Sequence, residues 1–262
     1  MILAVDVGNS NTTVGLFNGT GELLFRALLE TSRSKTRDQC AIELLGVFQL
    51  YGADACTVAG AILSSVVPPL TTIFTDAIAR LTGIPPMVVG PGIRTGLNIK
   101  AEIHNQLGSD IVASSVAAIA KYPSPIVMVD MGTATSLSLI VGSVYEGCII
   151  MPGLALALDA LSERAAALPP ISIETASPVG LMGHTTEEAM RSGVLYGHAS
   201  MVDGMLERIE ESIGQSVTTV ATGGNAPRIL RYCKRPIQYD ADLIMTGLYL
   251  LYQKNAKKYR KA

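Results

Sequence analysis

The sequence predicts an α/β protein built from two similar halves. Apolar segments with the spacing of strands and of helices alternate along the chain. The order of these segments in the first half returns in the second half. The composition agrees, because 48% of the 262 residues are hydrophobic and only 16% are charged. This balance excludes an intrinsically disordered chain and allows one large domain or two small ones.

The first half contains five predicted strands and two predicted helices. The strands are short apolar runs bounded by turn residues, and they cover residues 2–7, 12–17, 23–29, 57–63 and 87–89. Asn18-Gly19-Thr20-Gly21 is a hairpin turn between the second and third of them. Helical spacing covers residues 38–51 and 69–81; the second of these helices starts on a proline and ends before Gly83.

The second half follows the same plan. Its predicted helices cover residues 110–121, 154–167, 186–213, 227–233 and 241–254, and its predicted strands cover 126–130, 135–141, 144–150, 217–221 and 237–239. Residues 4–9 and 127–133 are alike, since each is a strand ending in Asp-x-Gly before a polar turn. We therefore expect a duplication with domains at 1–108 and 109–262 and a ligand cleft between them.

Charge and hydropathy exclude several classes of protein. The 20 basic and 22 acidic residues give a net charge of −2. Five of the basic residues lie at 254–262, so the rest of the chain carries 15 minus 22, or −7, and is poorly suited to bind nucleic acid. No apolar run reaches about 18 residues, and the amino terminus lacks the basic lead of a signal peptide. We expect a cytoplasmic protein that binds no membrane.

The cysteines and histidines predict no metal centre. Cys40, Cys56, Cys148 and Cys233 form no CxxC pair and lie in apolar segments, so we expect buried, reduced thiols. The three histidines share no spacing typical of metal ligands.

The first polar turn is a candidate phosphate loop. It comprises Asp6, Val7, Gly8, Asn9, Ser10, Asn11, Thr12 and Thr13. A glycine lets the backbone turn tightly, and the amides and hydroxyls that follow can face an anion. The same residue types also favour an ordinary hairpin turn, so this loop alone leaves both interpretations open.

A second acidic turn and a pair of glycines strengthen the nucleotide interpretation. The turn is 130–136, which begins with Asp130 and contains Thr133. Two such loops could hold a triphosphate and its cation from two sides. Gly223 and Gly224 follow a strand, where backbone without side chains permits the close approach of a ring or ribose. A plain strand-to-helix turn is the alternative for this segment.

Gly108-Ser109-Asp110 stands at the start of a predicted helix. Ser109 or Asp110 could simply cap that helix. Asp110 could instead accept the proton of a hydroxyl during phosphoryl transfer, where a protein mostly positions groups and stabilises charge. No histidine or cysteine is placed to perform that task.

Taken together, these motifs resemble the type III pantothenate kinases. The matches run in order along nearly the whole chain, at 6–10, 91–97, 108–110, 130–135, 150–153 and 222–224. The resemblance implies two actin-like (ribonuclease-H-like) domains with mixed sheets flanked by helices. It also implies a homodimer that phosphorylates pantothenate with ATP in the first step of coenzyme A synthesis.

The resemblance further implies a role for each candidate residue. The loop 6–13 would hold the ATP phosphates with help from Thr133, and Mg²⁺ would accompany ATP, with Asp6 as its nearest carboxylate. Asp110 would accept the proton, and Asp130 would bind K⁺ or NH₄⁺. Gly223 and Gly224 would line the nucleotide site. The acceptor would contact Gly108, Ser109, Asp110, Ile111 and Thr185, the last of these on the neighbouring subunit.

Two departures from the family pattern lie on the acceptor side. Ile111 stands where the family usually has an arginine, and Ala101-Glu102-Ile103-His104 replaces an aromatic residue followed by Glu-Asn-Pro. An arginine would supply forked donors to a carboxylate, and isoleucine supplies none. Arg94, Lys100 or His104 could compensate. The alternatives are therefore a kinase for another small hydroxylated acceptor and a nucleotide-binding regulatory protein without activity.

Overall fold

The computed structural model describes residues 1–100, 107–173 and 179–259. The chain divides into two compact units. Unit 1 comprises Met1–Lys121 and Asp242–Ala262, and unit 2 comprises Tyr122–Ala241. The sequence suggested a division after residue 108, whereas contacts assign the following helix and the last helix of the chain to unit 1. None of the helices within the described ranges is long and apolar enough to cross a membrane.

Unit 1 is a mixed five-stranded sheet with helices on both faces. Its strands are β1 (Ile2–Val7), β2 (Asn11–Phe17), β3 (Leu23–Glu30), β4 (Gly60–Ser65) and β5 (Met87–Val88), in the order β3-β2-β1-β4-β5. The first three strands pair antiparallel, and β1, β4 and β5 pair parallel. A 3-10 helix covers Ala55–Thr57, and a two-residue strand, β6, covers Asn98–Ile99.

The helices of unit 1 cover the two faces of this sheet. They are α1 (Arg37–Leu50), α2 (Pro68–Thr82), α3 (Ser109–Lys121) and α7 (Leu243–Tyr259). Alternate residues of β1 point to opposite faces. Leu3, Val5 and Val7 pack in the core beneath α1 and α2, while Ile2 and Ala4 pack in a second core that includes residues of α3 and α7.

Unit 2 repeats the strand plan of unit 1. Its strands are β7 (Ile126–Met131), β8 (Ala134–Val141), β9 (Val144–Pro152), β10 (Thr218–Thr222) and β11 (Gln238–Tyr239), and their order is β11-β10-β7-β8-β9. As in unit 1, the first three strands along the chain pair antiparallel, here β7 with β8 and β8 with β9. The other two extend the sheet in parallel, with β10 beside β7 and β11 beside β10. The helices are α4 (Leu154–Arg164), α5 (Thr186–Ile213) and α6 (Ala226–Ile229). The repeated order of elements predicted from the sequence is thus present in the strand order.

The predicted and observed elements differ mainly at their ends. The predicted helix at 227–233 shrinks to α6, and α4 ends at Arg164, three residues earlier than predicted. The 3-10 helix and β6 were not predicted, because such short elements carry no periodicity. Burial of the cysteines is confirmed for Cys40 alone: Cys56 and Cys148 are exposed and Cys233 is partly buried, and all four are free thiols.

Candidate functional site

The first polar turn closes the β1–β2 hairpin in unit 1. Val7 pairs with Thr12, so residues 8–11 form the turn. The amide of Gly8 donates to the carbonyl of Asn11 at 3.0 Å, and a Cβ on Gly8 would lie 2.9 Å from that oxygen. The three residues after Gly8 are exposed. The turn therefore presents short polar side chains to solvent around a tight, glycine-dependent backbone, an arrangement suited to an anion.

Asp6 lies at the base of this turn and faces α3. Its side chain is buried, with 8% of the residue exposed. Asp6 lies two residues beyond Ala4, so strand alternation places it on the face covered by α3 and α7. Ser64 of β4 is its neighbour in the parallel register. A carboxylate is thus fixed at the carboxyl end of β1, the edge of a parallel pair where ligands of α/β proteins bind.

Hydrogen bonds bring the start of α3 to the same edge. The Ser109 hydroxyl lies 2.9 Å from the Ser64 hydroxyl, accepts from the Ser65 amide at 3.1 Å and approaches the Ser65 carbonyl at 3.2 Å. β4 is parallel to β1, so these contacts place the first turn of α3 beside the end of β1. The Ser109 hydroxyl is thus bonded to β4, and its predicted contact with a substrate stays a prediction.

Asp110 is held at the beginning of α3. Its Oδ1 accepts a hydrogen bond from the amide of Ile111 at 2.8 Å. Burial raises the pKa of this carboxyl, and hydrogen bonds from the amides of Ile111 and of Asp110 itself act against that rise. A side chain at Gly108 would collide with Oδ1 of Asp110. Gly108 therefore leaves the space that the carboxylate occupies, and unit 1 unites the polar turn and the candidate base.

The second polar turn closes the β7–β8 hairpin in unit 2. Met131 pairs with Thr135, which leaves residues 132–134 in the turn, one fewer than in unit 1. The amide of Gly132 donates to the carbonyl of Ala134 at 3.0 Å. Asn225 braces the turn twice, because its amide donates to the carbonyl of Met131 at 3.0 Å and its Nδ2 donates to the carbonyl of Gly132 at 3.1 Å. Asn225 thus joins two motifs that lie far apart in the sequence.

Gly223 packs against the backbone at the base of this turn. Its φ is +92°, and a Cβ there would lie 2.6 Å from the carbonyl of Met131 and 2.7 Å from Oδ1 of Asp130. A Cβ on Gly224 would meet no atom within 4 Å among the described residues. Only the first of the two predicted glycines is therefore required by packing. Thr133 is exposed at the tip of the turn.

The base of the second turn offers oxygen atoms that a cation could use. Asp130 ends β7 beside Thr222 of β10, and the absent side chain of Gly223 leaves a cradle next to Oδ1 of Asp130 and the carbonyl of Met131. Carboxylate and carbonyl oxygens are the donors that hard cations prefer. The residues present thus fit K⁺ or NH₄⁺. Asp6 offers one carboxylate, which fits Mg²⁺ held partly by nucleotide phosphates.

Thr185 caps a helix. It is the exposed N-cap residue of α5, and its hydroxyl accepts from the amide of Glu188 at 3.2 Å. A contact of Thr185 with an acceptor stays a prediction. Ala101, Glu102, Ile103 and His104, which form the second departure from the family pattern, lie outside the described residues.

Sequence reasoning missed two supports of unit 1. The segment from Thr31 to Lys35 lies against the first turn, where Thr31 donates from its amide to the carbonyl of Ser10 at 3.0 Å. Asn255 of α7 is buried and bonds both backbone groups of Arg94, at 2.9 and 3.0 Å. These partners are separated by many residues in the chain, so no local pattern could reveal them. The hydroxyl and basic residues at 31–35 were the only available signal.

A sequence model of the type III pantothenate kinases matches residues 2–208 of this chain. The match covers both polar turns and the start of α3. The chain belongs to the type III pantothenate kinase family. A type III pantothenate kinase from Exiguobacterium is 39% identical over 98% of this chain and 100% of its own length. One from Geobacillus thermodenitrificans is 39% identical over 98% of this chain and 99% of its own. Family membership, first suggested by the motifs, is confirmed.

Solved structures confirm the fold. A Baf family transcriptional activator from Campylobacter jejuni superposes with a TM-score of 0.61 at 20% identity, over 97% of this chain and 99% of its own. The activator of 2-hydroxyisocaproyl-CoA dehydratase from Clostridium difficile, with bound ADPNP, gives 0.58 at 11% identity over 99% and 96%. The predicted class, two mixed sheets flanked by helices, is confirmed by these neighbours and by the strand orders.

Proposed function

We propose that this chain transfers the γ-phosphoryl group of ATP to the primary hydroxyl of pantothenate. The products are 4'-phosphopantothenate and ADP, and the reaction is the first step of coenzyme A biosynthesis; we expect it in the cytoplasm. Membership of the type III pantothenate kinase family supports this reaction. The observation that carries it is the position of Asp110 at the sheet edge where the polar turn of unit 1 also lies.

Asp110 is proposed to accept the proton of the acceptor hydroxyl. The oxygen of that hydroxyl forms a bond to the γ-phosphorus, and the bond from the γ-phosphorus to the bridging oxygen of ADP breaks. A base contributes most when its pKa lies close to the working pH. Burial of Asp110 raises its pKa, which suits this task better than an exposed aspartate would. The hydrogen bond from the amide of Ile111 to Oδ1 orients the carboxylate.

The nucleotide is proposed to bind the polar turns. In unit 1 its phosphates contact the turn amides and the polar side chains of the loop, which comprises Asp6, Val7, Gly8, Asn9, Ser10, Asn11, Thr12 and Thr13. Unit 2 contributes Thr133 and the backbone of Gly223 and Gly224. Mg²⁺, when bound with ATP, neutralises charge on the phosphates, and Asp6 would hold it.

Asp130 is proposed to hold the monovalent cation. K⁺ or NH₄⁺ would supply positive charge beside the second turn. Gly223 keeps the space next to Asp130 open, and Asn225 fixes the neighbouring carbonyls. Replacing K⁺ by Na⁺ is therefore expected to lower activity.

Residues on the acceptor side favour a second candidate substrate as an alternative to pantothenate. Gly108, Ser109 and Ile111 flank the proposed base, and Thr185 is proposed to contact the acceptor from a neighbouring subunit. Ile111 has no hydrogen-bond donor in its side chain, so it cannot bind a carboxylate as an arginine would. This observation favours, as the second candidate, a kinase for a related alcohol without that carboxylate. A regulatory protein without activity is the remaining alternative.

A homodimer is part of the proposal, with α5 at its interface. Leu195 is buried, and Met201 and Met205 pack against the core of unit 2, so these residues do not form the free face of the helix. A groove of about 370 Å³ lies instead along the small residues Ala189, Gly193 and Gly197, next to the exposed side chains of Leu181 and Met182. Small side chains permit the close approach of a second helix.

Coupled ADP release tests the proposed reaction. The purified protein with ATP, Mg²⁺ and K⁺ is expected to release ADP only when pantothenate is added, with a product heavier by one phosphoryl group. Pantothenol, an alcohol that lacks the carboxylate, tests the second candidate in parallel. Turnover of pantothenol with none of pantothenate would reject the first candidate in favour of the second. ATP binding without turnover of either alcohol would support the regulatory alternative.

A further inference from the structure

The candidate phosphate loop has no cationic side chain of its own. Residues 6–13 contain one carboxylate, Asp6, and neither lysine nor arginine. A nucleotide triphosphate carries several negative charges, which Mg²⁺ cancels only in part. Proteins usually meet such charge with arginine or lysine as well as with backbone amides. The cation should therefore come from a segment that packs against the loop.

The segment after β3 packs there. The amide of Thr31 donates to the carbonyl of Ser10 at 3.0 Å, and the hydroxyls of Thr31 and Thr12 lie 2.8 Å apart. Thr12 is only 1% exposed, so this second bond is shielded from water. Because Thr31 is bonded to both Ser10 and Thr12 of the loop, the residues that follow Thr31 are held beside the turn.

Lysine and glutamate fix the far end of the same segment. Nζ of Lys35 lies 2.9 Å from Glu43 of α1 and donates to the carbonyl of Glu30. Its side chain is mostly buried, with 15% exposed. The ammonium group of Lys35 thus binds groups of the protein and is not placed to bind a nucleotide. The stretch between Thr31 and Lys35 is short and anchored at both of its ends.

Arg33 lies in the middle of this stretch and reaches the loop. Its Nη2 lies 3.5 Å from Oδ1 of Asn9, a long contact between two exposed side chains. Among the ion pairs found in the described residues, none involves Arg33, whereas Arg37, four residues further on, pairs with Asp38 at 3.1 Å. Arg33 is therefore a guanidinium placed at the rim of the polar turn whose donors are available to a ligand.

We infer that Arg33 binds the phosphate groups of the nucleotide at the Asp6–Thr13 loop. The inference rests on the proposed function and adds the cation that the loop lacks. A planar guanidinium can donate two parallel hydrogen bonds to one phosphate. Asn9 orients the arginine side chain before the nucleotide arrives, and the nucleotide then replaces or joins that contact.

The test measures nucleotide binding by calorimetry without acceptor. Arg33→Gln removes the charge and keeps a polar side chain, Arg33→Lys keeps the charge, and Arg37→Gln is the matched control on the neighbouring exposed arginine. Charge-assisted hydrogen bonds contribute enough to predict a loss of ATP affinity of about tenfold for Arg33→Gln. We expect a smaller loss for Arg33→Lys, none for Arg37→Gln, and the same melting temperature in all three.

Kinetics separate this inference from the proposed function. Arg33→Gln is expected to raise KM for ATP and to leave KM for pantothenate unchanged. An ATP affinity of Arg33→Gln equal to that of the unaltered chain, or an equal loss in Arg37→Gln, overturns the inference while pantothenate turnover still supports the function. Loss of ATP affinity in a chain that turns over no pantothenate supports Arg33 and rejects the acceptor. Absence of any nucleotide binding rejects both.

Discussion

The two polar turns begin from the same strand plan and are supported in different ways. The turn of unit 1 has one residue more, and Thr31 and Arg33 of the segment after β3 contact it. The turn of unit 2 is shorter, and glycine backbone and the amide of Asn225 pack against it. In unit 1, α3 also brings its first turn, which contains Asp110, to the sheet edge from which the first polar turn starts.

This difference predicts that the two turns bind different ligands. A wider turn with exposed polar side chains and a nearby guanidinium suits an anion. A tight turn whose carbonyls are fixed around a carboxylate suits a cation. The hairpin itself is alike in both units, so we expect the segments packed against each turn to determine which ligand it binds.

Removing the carboxylate of Asp110, the proposed base in unit 1, should have the largest effect. Asp110→Asn keeps the size of the side chain and removes its ability to accept a proton. Bases of this kind contribute about 10²–10⁴-fold, so we expect kcat to fall by that factor while ATP affinity holds. Asp76→Asn, at an exposed position of α2, is the control. Full activity in Asp110→Asn would assign the proton transfer to another group.

Alanine substitutions at Gly223 and Gly224 should show which of the two glycines the second turn requires. Gly223→Ala places a Cβ within 2.7 Å of Asp130 in a backbone with φ of +92°, so we expect a loss of stability above about 1 kcal/mol and a weaker response to K⁺. Gly224→Ala meets no described atom within 4 Å and should behave like the unaltered chain. Thermal melting and K⁺ titration measure both effects. Equal behaviour of the two variants would contradict the packing argument.

Removing one supporting hydrogen bond from each turn should change the binding of a different ligand in each case. Thr12→Val deletes the hydroxyl pair with Thr31, and Asn225→Ala deletes the bond to Gly132. Each bond contributes about 1 kcal/mol, which corresponds to a few-fold change in a binding constant. We expect Thr12→Val to raise KM for ATP and Asn225→Ala to raise the K⁺ concentration for half-activation. The same shift in both variants would show that the turns do not have separate ligands.

The pH dependence of activity and of stability should reflect the raised pKa of Asp110, the proposed base. Burial raises the pKa of Asp110 above 3.8, so the acidic limb of kcat/KM is expected at a higher pH than an exposed aspartate gives. The folded state binds this proton more tightly than the unfolded state, so Asp110 costs stability as pH rises from 3.8 through its folded pKa. Asp110→Asn should remove that loss. Denaturant unfolding across this range checks the sign, and an acid limb at the ordinary position would contradict it.

The sequence predicted the fold plan and the two turns, because both rest on local patterns. Strands, helices and the repeated Asp-x-Gly motif are encoded by neighbouring residues. Supports that act across the chain could not be predicted. Asn225 reaches a turn more than ninety residues earlier, and the bonds of Ser109 to β4 arise only once α3 packs on the sheet. The assignment of α3 and α7 to unit 1 depends likewise on packing between distant segments.

The most direct test of whether the two turns bind different ligands titrates Mg²⁺ and K⁺ into variants of two aspartates. Mg²⁺ and K⁺ dependence of turnover is measured for the unaltered chain, for Asp6→Asn and for Asp130→Asn. We expect Asp130→Asn to lose the preference for K⁺ over Na⁺ with little change in Mg²⁺ dependence, and Asp6→Asn to require more Mg²⁺ while keeping the preference for K⁺. A preference for K⁺ that survives in Asp130→Asn would contradict the cation role of the second turn and with it the account given of the two loops.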